Sequence, residues 1–125
     1  MHKSRLGGLI IDCRTDDLTA ATVFWSAALG RPQRNSDAPE DAGYALLDRG
    51  PEEMHIELQR VGHDSRVHLD IETDDIAAEV ERLEALGARR VQQVRNWWVM
   101  EAPTGHHFCV VRPQHDDFEA TASKW

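Results

Sequence analysis

Apolar and polar positions recur along this chain with two periods, one of strands and one of helices. Residues 7–13 (GGLIIDC) set Leu9 and Ile11 on one side and Ile10 and Asp12 on the other, the two-residue repeat of a strand. Over 17–29, Leu18, Ala21, Thr22, Trp25 and Leu29 recur at helical spacing, and Phe24 and Trp25 read as core. Asp16 and Asp17 stand where the helix dipole favours anions, and Gly30 supplies a stop. The stretch 34–43 is polar, holds Pro39 and Gly43, and predicts a loop. A short strand over 44–48 and a turn over 48–53 follow. Residues 54–61 then alternate, with Met54, Ile56 and Leu58 opposite His55, Glu57 and Gln59.

A second pass begins at 66–72, where Val67, Leu69 and Ile71 oppose His68, Asp70 and Glu72. A helix over 75–86 carries the stripe Ile76, Val80 and Leu83, leaving Glu79, Glu81, Arg82 and Glu84 outside it, and Gly87 ends it. Strands are predicted over 89–94, 97–101 and 106–112, and the polar residues 114–125 read as a frayed or loosely docked tail. The passes match: Asp16-Asp17-Leu18 through Ala28-Leu29-Gly30-Arg31 returns as Asp74-Asp75-Ile76 through Ala85-Leu86-Gly87-Ala88. Such self-similarity implies two copies of one unit, each strand, helix, then three strands. Two such units with helices on one face of the sheet give an α+β core.

The 125 residues suit one domain, and 41% hydrophobic with 29% charged is a globular composition. No apolar run approaches the length of a membrane helix, and Asp12 and Arg14 interrupt the N-terminal apolar stretch before a signal-peptide core could form. With 14 Lys+Arg against 22 Asp+Glu, the net charge of −8 repels phosphate backbones, so neither nucleic acid nor membrane is expected as a partner. Cys13 and Cys109 are far apart and read as buried thiols in a reducing compartment, which points to the cytoplasm; a single disulfide is the alternative.

The polar sides of the strands collect Asp12, His55, Glu57, His68, Asp70, Glu72 and His107 and no lysine. Acids and histidines gathered on one face suit the handling of protons or a cation; the competing reading is a face that simply meets water. His68 is the leading candidate, with Asp70 two positions on placed to fix its tautomer or raise its pKa. A histidine satisfied by cross-strand hydrogen bonds is the alternative. Glu57 reads as a lone metal ligand, a general base or a surface acid. Cys109 reads as a small core filler, with His107 placed to help it if it reacts. Of Trp97 and Trp98, one packs under a helix and the other, beside Met100, suits a flat or apolar ligand; plain core packing for both is the alternative.

Several motifs in order resemble the vicinal-oxygen-chelate superfamily of glyoxalase I, extradiol dioxygenases and bleomycin-resistance proteins, and most closely its glyoxalase-like branch. They are Ile10-Ile11-Asp12-Cys13, Phe24-Trp25 with Ala28-Leu29-Gly30, Arg66-Val67-His68-Leu69-Asp70-Ile71, Leu86-Gly87-Ala88, and Pro103-Thr104-Gly105 leading into Phe108-Cys109-Val110-Val111. The resemblance implies two βαβββ modules, about 6–62 and 63–113, within one domain over 1–113. Their mixed sheet curls into a cup with the helices on its outer face. It also implies a homodimer whose cups draw on both chains. The superfamily's four metal ligands carry over to Gly8, Glu57, His68 and Cys109. Glycine offers no donor and cysteine is a softer ligand than those sites use, so the usual metal site, and with it a cofactor, is not expected.

Three functions follow from the resemblance. The first is a metal-free small-molecule-binding protein of the bleomycin-resistance kind, with Asp12, His55, Trp98, Met100, His107 and Cys109 around the ligand. The second is a metal-independent lyase or isomerase in which His68 and Glu57 act as acid and base and Asp70 orients His68. The third is a metal-dependent glyoxalase- or dioxygenase-type enzyme on Glu57, His68, Cys109 and a donor such as His55.

Overall fold

In the computed structural model, the alternating stretches are strands and the 3.6-residue stretches helices. The structure describes residues 1–34, 42–50 and 53–125. Most of the loop expected over 34–43 and part of the turn over 48–53 lie outside the described residues. By internal contacts the chain divides into two units, Leu9–Val67 and Met1–Gly8 with His68–Trp125. Strand β1 (Lys3–Cys13), longer than the alternation predicts, gives its first residues to one unit and the remainder to the other.

In the first module β1 is followed by α1 (Leu18–Leu29), β2 (Gln33–Arg34), β3 (Tyr44–Leu47) and β4 (His55–Arg60), in the sheet order β2-β3-β4-β1. Asp17 caps α1 by accepting from the Ala20 amide at 3.0 Å, and Gly30 ends it at φ 66°, a left-handed conformation that glycine adopts without a Cβ clash. Leu18, Ala21 and Trp25 pack on Cys13, Ala45, Leu47 and Leu58. Phe24 and Leu29, expected in the core, are exposed instead. Phe24 meets Trp25 edge-on, with ring centroids 5.1 Å apart.

The second module comprises β5 (Arg66–Thr73), α2 (Ile76–Ala85), β6 (Arg89–Val94), β7 (Trp97–Glu101) and β8 (His107–Val111), in the order β5-β8-β7-β6. Pairing is parallel between β5 and β8 and antiparallel beyond, so the sheet is mixed. Asp75 caps α2 through the Ala78 amide at 3.0 Å, repeating the Asp17 cap of α1. The expected stripe is the core: Val80 and Leu83 pack with Met100, Phe108 and Val110, and Ile76 joins them. The α+β class with two βαβββ modules therefore holds.

Glu79 was expected outside that stripe but is fully buried. It accepts from Arg82 at 2.8 and 2.9 Å and meets His2 Nε2 at 2.8 Å, which compensates a carboxylate out of water.

The tail, expected to be frayed or loosely docked, is docked. It forms α3 (Phe118–Thr121) and β9 (Ser123–Lys124), which pairs antiparallel with Lys3 and Ser4 of β1. Phe118 is buried, and the Trp125 indole donates to Ser4 Oγ at 2.8 Å beneath the Arg82 guanidinium. Arg5 reaches Asp117 at 3.0 Å and Glu72 at 2.8 Å, and Glu72 also accepts from the Gln114 amide. Gly7 makes room for this cluster, since a Cβ there would stand 2.3 Å from Glu72 Cγ.

Candidate functional site

The polar positions of β5 and β8 meet because of sheet register. Asp70 and Cys109 are partners across the parallel pair, so both side chains leave the same face. His68, two residues before Asp70, shares that face, as does His107, two before Cys109. His68 Nε2 lies 3.5 Å from Asp70 Oδ1, with the two side chains 12% and 13% exposed. Cys109 is buried, and one donor atom from each of His68, Asp70 and Cys109 lies within 4.8 Å of the other two.

Across the antiparallel pair, Glu101 opposes His107 and Val99 opposes Cys109. His107 Nε2 stands 3.7 Å from Glu101 Oε1, and Arg89 pairs with Glu101 from β6. Glu101 is a member of this face that the sequence reading missed. Its signal was present: it shares parity with Trp97 and Val99 and opposes a histidine once β7 and β8 are paired.

The opposite face of the same strands is apolar. Met100, expected at a ligand wall, is fully buried under α2 with Phe108 and Val110. Trp98 packs against that core and also lines an open groove of about 950 Å³ with Ile76, Arg90 and Phe118. The aromatic side chain on the Cys109 face is Trp97, because β7 register pairs Val99 with Cys109 and Trp97 lies two residues away. Trp98, expected around the ligand with Cys109, instead lies on the core face, because register pairs it with Val110.

The remaining candidates lie in the first unit. His55 Nε2 and Glu57 Oε1 are 2.8 Å apart on one face of β4, with His55 buried. Asp12 is buried, 3.9 Å from the Arg66 guanidinium. Cys13 and Cys109 are buried and not joined in a disulfide, and burial first and the Asp12 charge second push the Cys13 thiol above its ordinary pKa. Thiols in that state are poor nucleophiles, which makes Cys13 a packing residue.

Of the positions that correspond to the superfamily's metal ligands, Gly8 carries no donor side chain, and the Glu57 carboxylate lies 2.8 Å from His55 Nε2. No helix of the described residues is long and apolar enough to cross a membrane.

Known structures share this architecture. Methylmalonyl-CoA epimerase from Mycobacterium tuberculosis aligns at 19% identity and a TM-score of 0.61, over 88% of each chain. A glyoxalase/bleomycin resistance protein/dioxygenase superfamily member from Vibrio splendidus aligns at 14% identity and a TM-score of 0.57, over 86% of this chain and 97% of that one. A methylmalonyl-CoA epimerase in complex with methylmalonyl-CoA aligns at 16% identity and a TM-score of 0.56, over 88% and 95%. At such identities these likenesses establish the fold alone. No curated protein sequence matches the chain. A family model described as the glyoxalase-like domain matches residues 8–111, nearly the whole of both modules, and this chain therefore belongs to the glyoxalase-like domain family.

Proposed function

We propose that this chain binds a small organic molecule on the face of β5, β7 and β8 that carries His68, Asp70, His107 and Cys109, and that it does so without the family's usual four-residue metal set. The observation that carries the reading is the His68–Asp70 pair at 3.5 Å beside buried Cys109. A histidine fixed by a carboxylate offers its ring to a carbonyl or hydroxyl oxygen in one orientation, so little freedom is lost when the ligand arrives. Trp97 and Val99, by register on the same face, supply apolar contact. The structural relatives support this in kind, since one is described in complex with the small ligand methylmalonyl-CoA.

A second reading, a lyase or isomerase with His68 as its acid–base group, is favoured by the same carboxylate beside His68. The two readings differ in whether the bound compound is chemically changed.

Ligand-detected NMR against a set of small carbonyl and hydroxy compounds is the test. His68→Ala should weaken the best binder at least about tenfold, the scale of one hydrogen bond from a polarised donor. The same variant should melt within a few degrees of the parent. Binding unchanged in both His68→Ala and Asp70→Ala would place the ligand elsewhere and end this reading.

A further inference from the structure

We propose that the open groove on the α2 side of the second module binds a small organic phosphate with a flat apolar body, at a site separate from the polar face of β5 and β8. The groove, about 950 Å³, is large enough for such a ligand and lies wholly within one of the two units. This site goes beyond the binding reading above and does not depend on it.

Strand register builds the groove. Strands β5 and β8 run parallel and end together, with Glu72 opposite Val111. From that end Thr73, Asp74 and Asp75 lead into α2, and Arg112 and Pro113 lead into the tail, so Arg112 stands beside the first turn of α2. Side chains alternate along a strand, so Arg112 leaves on the side of Val110, the side that packs with α2. Trp98 pairs with Val110, and Gln93 with Trp98, so both share that side. Trp98, Ile76 and Phe118 supply the apolar lining, and Trp98 and Ile76 are only half-buried.

Charge selects the ligand. The chain carries a net −8, yet this groove gathers Arg90 from β6, Arg95 from the turn into β7, and Arg112 from beyond β8. Arg90 is held by Glu84 at 3.0 Å and lies 5.1 Å from the centre of the Trp98 ring. Arg112 is exposed and pairs with no acid among the described residues. The acids at the same end are engaged within the fold. Asp74 accepts from the Lys3 amide at 2.8 Å, Asp75 from the Ala78 amide at 3.0 Å, and Glu119 from the Lys3 ammonium. Glu81 lies further along α2, about 7 Å from Ile76 by helix rise. An anion beside Arg112 therefore meets a guanidinium, whose paired N–H donors match two phosphate oxygens. Asp75 takes the amides of Ala78 and Glu79, and those of Ile76 and Ala77 add donors beside the same anion. A phosphate held there directs its organic group along the groove toward Trp98, which favours the ester of a flat ring over the bare ion.

The experiment titrates the full isotope-labelled chain with phenyl phosphate and follows backbone amide and indole signals by NMR. Saturable shifts are expected at the amides of Ile76, Ala77 and Arg112 and at the Trp98 indole. Inorganic phosphate alone and phenol alone should each bind at least about tenfold more weakly, because each makes only part of the contacts. Arg112→Gln should weaken phenyl phosphate at least about tenfold, the scale of a hydrogen bond between charged groups. Arg14→Gln, which removes an exposed arginine of the other unit paired with Asp64, should leave the affinity unchanged. Arg112 and Arg14 are both surface residues, and circular dichroism checks that each variant folds. Equal affinity in Arg112→Gln and the parent overturns the proposal, as does a titration that does not saturate by about 10 mM phenyl phosphate. Inorganic phosphate bound as tightly as phenyl phosphate overturns the flat-bodied ligand. Shifts confined to the residues around His68 and Cys109 overturn the groove and leave the binding reading standing; shifts at the groove in a chain that binds no carbonyl or hydroxy compound at His68 support the groove alone.

Discussion

Glu79 shows how much a single side chain can depend on partners distant in sequence. Burial works to raise its pKa, but hydrogen bonds, from Arg82 first and then His2 and Ser4, hold it below the ordinary carboxylate range. Arg82 is raised in turn, mainly by its bond to Glu79. A depressed folded value means that the stabilisation is complete above the unfolded carboxylate pKa of about 4.3 and is lost as pH falls through the lower folded value. Glu79→Gln leaves Arg82 beside a neutral amide in a buried place and should cost about 3 kcal/mol at neutral pH. In urea unfolding, the gap between variant and parent should narrow in the acid range, where the parent also loses the charge. A gap independent of pH would show that shape, rather than charge, holds Glu79 there. The same residue marks a limit of reading by period: position 79 lies off the apolar stripe of α2, and its partners His2 and Ser4 come from the distant N-terminus.

At the scale of elements, the two modules repeat one capping device. Asp17 and Asp75 each accept from the amide three residues on, and each helix lays its apolar stripe on its own module's strands. These features were legible because caps and stripes are local: they depend on residues within two turns of helix. The tail was not legible for the converse reason. Residues 114–125 are polar and periodless, and their order comes from Arg5, Glu72, Ser4 and Arg82, all distant in sequence. Phe118 is the apolar anchor of this segment, 4% exposed. Phe118→Ala should therefore destabilise the chain by about 3 kcal/mol, at the low end for a buried phenylalanine because the site lies at a chain end. Equilibrium denaturation measures this; a loss under about 0.5 kcal/mol, the scale of an ordinary surface change, would mean that the tail docks without stabilising the module.

For the whole molecule, the expectation that remains open is assembly. The resemblance implies a C2 homodimer, and closed twofold symmetry is the commonest state of soluble oligomers. Exposed Leu6, Val67, Leu69 and Val91 are apolar strand residues that a partner would cover. Light scattering across a concentration series should give twice the 14.2 kDa chain mass at micromolar protein. A monomer throughout would confine any ligand site to a single chain.

The sequence by itself determined the duplication, the α+β class, most strand and helix spans, and the polar side of β5, because each follows from periodicity and from caps that operate over a few residues. His68 and Asp70 were legible as a pair for that reason. Tertiary structure alone decided what joins them. The parallel register of β5 with β8 sets Cys109 beside Asp70, and the β7 register turns Met100 into the core while adding Glu101 to the face. Strand pairing links residues about 40 positions apart through backbone hydrogen bonds that no side-chain pattern encodes. A one-residue slip would exchange the two faces, so the composition of the site is a property of the pairing.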